Sequence, residues 1–218
     1  MKTTTHPSPA PILLTGFKPY DGMARNPTEL LMARAPEALA DIPGVSLRAI
    51  VLDTDYALSE QQLVQAMDDF QPRAVISFGL NRRIDAIHLE RIAVNIDDAA
   101  IPDTAGVIRR GQIIAADGPV GYWSTLPLQA SARALDDAGI PVQFSNHAGT
   151  YICNHIFYFG RHLIATRALP IRMGFIHAPP LPEMVGDQPG RTGMNLETLL
   201  QAARIILTTT VATIWAGE

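Results

Sequence analysis

Cys153 is the only cysteine in a chain of 218 residues, and its surroundings bias it toward nucleophilic chemistry. The apolar run 140–144 reads as a strand, Gly149 supplies a turn, and Ile156, Phe157, Phe159 and Leu163 follow at helical spacing. Cys153 therefore falls near a helix start. Unpaired N–H groups and the positive end of the helix dipole converge there, which favours thiolate, the form that attacks carbonyl carbon. A free cysteine is also a common small hydrophobe of protein cores, so position alone leaves both readings open.

A thiolate needs a proton partner, and the chain offers six histidines. His6 lies near the N-terminus, His88 in a β-rich run, His147 and His155 on either side of Cys153, and His162 further along the helix. His177 stands apart because it ends a strand at 172–177, just before a proline-rich stretch. Sites in open α/β sheets assemble at the carboxyl ends of strands. No pair has the H-E-x-x-H spacing of zinc enzymes, so no metal is expected and no cofactor is invoked.

Three segments carry a resemblance. Ser145, Ala148, Gly149, Thr150, Cys153, Asn154 and His155 match the pattern Ser-x-x-Ala-Gly-Thr-x-x-Cys-Asn-His of type I pyroglutamyl peptidases (pyrrolidone-carboxylate peptidases), a family of cysteine peptidases. The block 90–99 with Ile101, Pro102 and Asp103 resembles the family's Glu-Arg-Val-Ala-Ile-Asn segment, and 174–183 resembles its Gly-Phe-Ile-His-x-Pro-x-x-Pro-Glu. Thr15, Gly16 and Phe17 open a further match, with Tyr20 where the family has a second phenylalanine. The resemblance implies a triad of Cys153, His177 and Glu90. It places Phe17, Tyr20, Leu80 and Ile152 at the substrate. The backbone N–H groups of Cys153 and a neighbour at the helix start are expected to bind the oxyanion, with Arg91 a lesser contributor.

The elements that must position these groups follow from patterning. Residues 12–15, 45–52, 74–79 and 172–177 read as strands, the first apolar on both faces as in a covered sheet. Helices are expected from Pro27 after an Asn26 cap with Glu29 closing a capping box, at 56–70, at 126–138, and from about 195 to 214. The run 87–96 reads as one β segment, 106–115 as a hairpin, and 179–189 as a loop beside the site. Strands alternating with helices predict a single α/β domain over 1–218, a three-layer α/β/α sandwich around a twisted, mostly parallel mixed sheet, with 1–11 a flexible leader.

Composition narrows the partners. With 17 basic against 21 acidic residues and a net charge of −4, nothing favours nucleic acid. No apolar run is read as membrane-spanning and the N-terminus lacks a signal-peptide core, so a cytoplasmic protein with no membrane partner is expected. The resemblance implies peptide substrates bearing an N-terminal pyroglutamate, hydrolysed through an acyl-enzyme, and a homo-oligomer, dimer or tetramer, in which the apolar C-terminal helix could serve as core or interface. Alternatives are a related amidase for another small cyclic acyl group, or an inactive binding protein on the same scaffold.

One segment departs from the family. Where its members carry Gly-Gln-Ala-Gly-Gly-Arg after the third strand, this chain has Gly79-Leu80-Asn81-Arg82-Arg83-Ile84. Loss of the glycine pair predicts a different loop path. Arg82 and Arg83 are expected to turn outward or to reach the peptide beyond the scissile bond, with a weakened KM.

Overall fold

Alternation along four strands sends one set of apolar side chains to each side of a single sheet, and helices cover both sides. A computed structural model describes residues 9–186 and 189–216. Its elements are β1 (Ala10–Phe17), α1 (Pro27–Ala38), β2 (Val45–Leu52), α2 (Tyr56–Phe70), β3 (Ala74–Leu80), β4 (Ile87–Glu90), β5 (Ile92–Val94), β6 (Gly121–Trp123), α3 (Leu128–Asp137), β7 (Val142–Ser145), α4 (Ile152–Thr166), β8 (Arg172–Ala178), α5 (Pro182–Val185) and α6 (Leu196–Trp215). Residues 1–8 of the expected leader lie outside the described residues, whereas Ala10 and Pro11 already belong to β1.

The main sheet has the order β2-β1-β3-β8-β4-β7. The first four strands are parallel. β4 is antiparallel to β8 and parallel to β7, which completes a mostly parallel mixed sheet. Ile12, Leu14, Ile76, Phe78 and Ile176 share one core with Leu31 of α1, Leu135 of α3 and Ile206 of α6. Leu13, Val75, Met173 and Phe175 share the other with Leu63 of α2 and Ile156 and Phe157 of α4. Burial on both faces is why these strands read as continuous apolar runs.

The structure departs from the sequence reading in several places. The 87–96 run breaks at Arg91, whose N–H donates to the Ser145 carbonyl at 2.8 Å; beyond it β5 leaves the main sheet and pairs with β6. The 106–115 segment is not a hairpin, since Asp97–Gln112 is its only bridge among the described residues. Side chains take its N–H groups instead: Asp103 Oδ1 accepts from Ala105 and Val107, and Asn95 Oδ1 from Ile114 and Ala115. Asn26 caps α1 by accepting from Thr28, and no described bond from Glu29 closes a capping box. The 179–189 loop contains α5.

Helix α6 also corrects the expectation about membrane-length runs, being long and apolar enough to span one by length and composition alone. Leu199, Ala203, Ile206, Leu207 and Val211 are spent on the core, so its apolar face is covered by the sheet.

Candidate active site

Register places the chemistry at the end of β8. His177 lies beside Gly79 on the parallel β3 and opposite His88 on the antiparallel β4; Glu90 lies opposite Phe175, one pleat deeper. Paired residues and their i+2 neighbours share a face, so Gly79, Glu90 and His177 all turn toward the α4 layer. His177 Nδ1 donates to Glu90 Oε1 at 2.7 Å, with the two residues 5% and 1% exposed. The other ring nitrogen is left for the Cys153 side chain, which lines the same cavity. Burial alone would keep this imidazole neutral, but the bonds to Cys153 and Glu90 outweigh it and push its pKa to about 9. Glu90 Oε2 is buried without a partner, so the carboxylate's bonding is directed to the imidazole through Oε1.

Cys153 reaches this point by a reversal. Because β7 runs against β8, its carboxyl end at Ser145 points away from the His177 edge, and residues 146–151 must carry the chain back. Gly149 turns it with φ of 77°. The returning strap is then stitched to the segment after β5: Thr150 Oγ1 donates to the Asp98 carbonyl at 2.7 Å, and the Asp98 N–H donates to the Thr150 carbonyl at 2.8 Å. Asn154 accepts from the Val94 N–H and donates to the carbonyls of Val94 and Ile96. His155 sits between Asp97 and Glu60, both at 2.8 Å. These residues hold the first turn of α4 from one side.

That first turn is open on the other. Asn26, Asp55 and Asn195 cap α1, α2 and α6 with their side chains, but the Tyr151 cap of α4 makes no such bond. Helix geometry leaves the N–H groups of Ile152, Cys153 and Asn154 without intrahelical partners, beside a sulfur that is partly accessible.

A cavity of about 490 Å³ opens over Cys153 and His177, lined also by Tyr20, Leu80, Arg82 and Tyr151. The Tyr20 and Tyr151 rings lie 5.9 Å apart at 48°. Burial, and next the Cys153 charge, push the Tyr20 hydroxyl up to about 12. Tyr151 is fixed by its hydroxyl donating to the Pro102 carbonyl at 2.9 Å. Sequence reasoning overlooked this second ring, although its place two residues before Cys153, just ahead of the helix, was a usable signal. Of the expected substrate residues, Tyr20 and Leu80 line the cavity. Phe17 and Ile152 are 3% and 1% exposed in the apolar cluster beneath it, Phe17 packed 6.3 Å from the Phe175 ring. Arg91 lies over the Phe144 ring at 4.5 Å and donates to Asn146, and is not among the cavity's lining residues.

The family model described as pyroglutamyl peptidase matches residues 10–213. The chain belongs to the pyroglutamyl peptidase family. It is 37% identical over 201 residues to the pyrrolidone-carboxylate peptidase of Brevibacillus brevis, spanning 92% of this chain and 93% of that protein. It is 40% identical over 210 residues to that of Vibrio vulnificus, spanning 93% of each. Among solved structures, the pyrrolidone carboxyl peptidase from Thermococcus litoralis superposes with a TM-score of 0.91 at 32% identity, covering 96% of both chains. Pyroglutamyl peptidase I of Bacillus amyloliquefaciens gives 0.87 at 33%, covering 93% of this chain and 97% of that one.

Within this pyroglutamyl peptidase family member, the loop after β3, Asn81-Arg82-Arg83-Ile84, is braced. The Asn81 N–H donates to the Ala178 carbonyl at 3.0 Å, and Asn81 Oδ1 accepts from the Arg83 N–H at 3.0 Å. Both arginine side chains line the cavity. Among the described residues no group of three or more His, Cys, Asp or Glu is placed to hold a metal ion.

Proposed function

We propose that this protein is a cysteine hydrolase that removes an N-terminal pyroglutamate from peptides, with Cys153, His177 and Glu90 as its catalytic groups. The carrying observation is the buried Glu90–His177 bond at 2.7 Å, beside the Cys153 thiol, which shares a cavity with the same imidazole at the open start of α4. The Cys153 thiol gives its proton to His177, and the thiolate adds to the carbonyl that joins pyroglutamate to the next residue. The oxyanion is met by the free N–H groups of the first turn of α4. Arg91, turned toward Phe144 and Asn146, has no part in this step. The imidazolium then protonates the departing amine as the C–N bond breaks. Water, deprotonated by the same imidazole, cleaves the thioester and restores the thiol. Glu90 holds the Nδ1–H tautomer and supports the charged ring throughout.

The Tyr20–Tyr151 pair suits an uncharged lactam, which offers a flat amide and three methylene or methine carbons but no ammonium to be paired. A fluorogenic pyroglutamyl amide should be hydrolysed, its prolyl and leucyl counterparts should not, and iodoacetamide should abolish the reaction. Hydrolysis of all three, or resistance to alkylation, would overturn the reading; cleavage only of another cyclic acyl amide would favour a related amidase.

The assembly we propose is a cytoplasmic homo-oligomer. Ile113, Val120 and Trp123, which are 67%, 89% and 65% exposed, supply uncovered apolar surface that α6 does not. Light scattering on the eluted protein checks this, a monomer at micromolar concentration counting against it.

A further inference from the structure

The braced loop beyond β3 is held a second time, by Arg191. Its Nε donates to both carboxylate oxygens of Asp85 at 3.1 and 3.0 Å, Nη1 to the Arg82 carbonyl at 2.9 Å, and Nη2 to the Ile84 carbonyl at 3.0 Å. Three donating nitrogens of one rigid, planar group are spent on a single loop. A loop tied at its start by Asn81 and along its length by Arg191 presents its side chains in a restricted arrangement, with less entropy left to lose on binding.

What it presents is charge. Arg82 and Arg83 are both exposed and both line the cavity that contains Cys153. The carboxylate among that cavity's lining residues is Asp21, which approaches Arg82 only to 3.7 Å, with the two side chains 54% and 56% exposed. A pair that open to water is weak, so Arg82 is not neutralised. Two guanidinium groups against one carboxylate make a local excess of positive charge on a chain whose net charge is −4. An adjoining cavity of about 440 Å³ shares Asp21 and Arg82 and continues past Arg25, Glu183 and Arg191.

The acyl half of the substrate gives these charges nothing to meet, since a pyroglutamyl ring is neutral. Position points to the other half. Among the lining residues Tyr20 and Tyr151 are half-buried whereas Arg82 and Arg83 are exposed, and the remainder of a peptide must leave toward solvent. We propose that Arg82 and Arg83 are specificity residues that select peptides with an acidic side chain immediately after the pyroglutamate. This rests on the pyroglutamyl-peptidase reading above.

The test uses three peptides, pyroglutamyl-Glu-Ala, pyroglutamyl-Gln-Ala and pyroglutamyl-Lys-Ala, with release of pyroglutamate followed by chromatography. At low ionic strength kcat/KM should fall in the order Glu, Gln, Lys, the extremes differing on the order of tenfold for two solvent-exposed contacts. In 1 M salt, where charges are screened within about 3 Å, the ratio should shrink toward one. The double variant Arg82→Gln/Arg83→Gln should flatten the ratio at low salt as well, and because the readout is a ratio within one preparation, partial loss of folded protein leaves it intact. Equal rates for the Glu and Lys peptides in the wild type, or a ratio that survives in the double variant, overturns this inference while the peptidase reading stands. Cleavage of none of the three overturns both.

Discussion

A Cβ placed on Gly79 would lie 2.8 Å from the Cys153 sulfur and 2.7 Å from the Phe175 ring. The Cys153 sulfur packs directly on the backbone of β3, level with His177, and only a residue without a side chain permits that approach. Gly79→Ala must therefore move the sulfur, the Phe175 ring or the strand. We expect kcat to fall by about 100-fold, the scale of an ångström-level misplacement, with stability lowered by about 1–3 kcal/mol from overpacking. Steady-state kinetics with thermal unfolding checks both; wild-type kcat would mean that the thiol has room to shift without cost.

Cys153→Ala should abolish turnover and leave the unfolding midpoint nearly unchanged, since a partly exposed thiol is replaced by a methyl. Measurable hydrolysis by the purified variant would remove Cys153 from the nucleophile's role.

His177, the proposed acid for the leaving amine, has a pKa raised to about 9, so kcat/KM should decline as pH climbs through that region. Glu90 is one of the groups that raise it. Glu90→Gln should lower kcat by about two to four powers of ten with KM little altered, and should move the alkaline limb to lower pH. A lower rate with an unmoved limb would leave Glu90 a packing role only.

Tyr151→Ala removes one ring of the pair over the cavity and should raise KM by about 2- to 12-fold, the worth of a single aromatic contact, with kcat less affected. Tyr151→Phe keeps the ring and loses the bond to the Pro102 carbonyl. Its KM should lie between wild type and the alanine variant. A kcat effect larger than the KM effect would instead place Tyr151 in the positioning of α4.

His155 is a separate pH-sensitive element. Burial opposes its charge, but the bonds to Asp97 and Glu60 prevail and hold its pKa above the ordinary 6.5. The stabilisation is thus complete below about 6.5 and is lost as pH rises through the folded-state value. His155→Gln should flatten part of the alkaline decline in stability. It should cost about 3 kcal/mol near neutral pH, the low end for breaking a buried pair. Asp97 keeps Arg109 at 2.8 Å, and Glu60 is one-third exposed, which limits the loss. Urea unfolding at pH 6 and pH 9 reads it; parallel pH slopes for the two proteins would show that His155 is neutral in the fold.

By itself the sequence determined the buried strands and singled out the candidate reacting groups. Strands buried on both faces are largely apolar, so β1, β3 and β8 were legible as runs, and Cys153, Glu90 and His177 stood in motifs whose spacing is local. Their meeting was not legible in that way. Glu90 and His177 are 87 residues apart and touch because of a diagonal across one antiparallel strand pair, which depends on register and strand direction rather than on composition. The same limit explains the rest. Periodicity reports that Ile87 to Ile96 is extended, but not that the chain changes sheets at Arg91; the resemblance put Phe17 and Ile152 at the substrate, whereas packing buries both in the apolar cluster and leaves Tyr20 and Tyr151 to line the cavity. Gly79 read as the end of a strand, and its requirement for a missing side chain became visible only when α4 laid a sulfur against it.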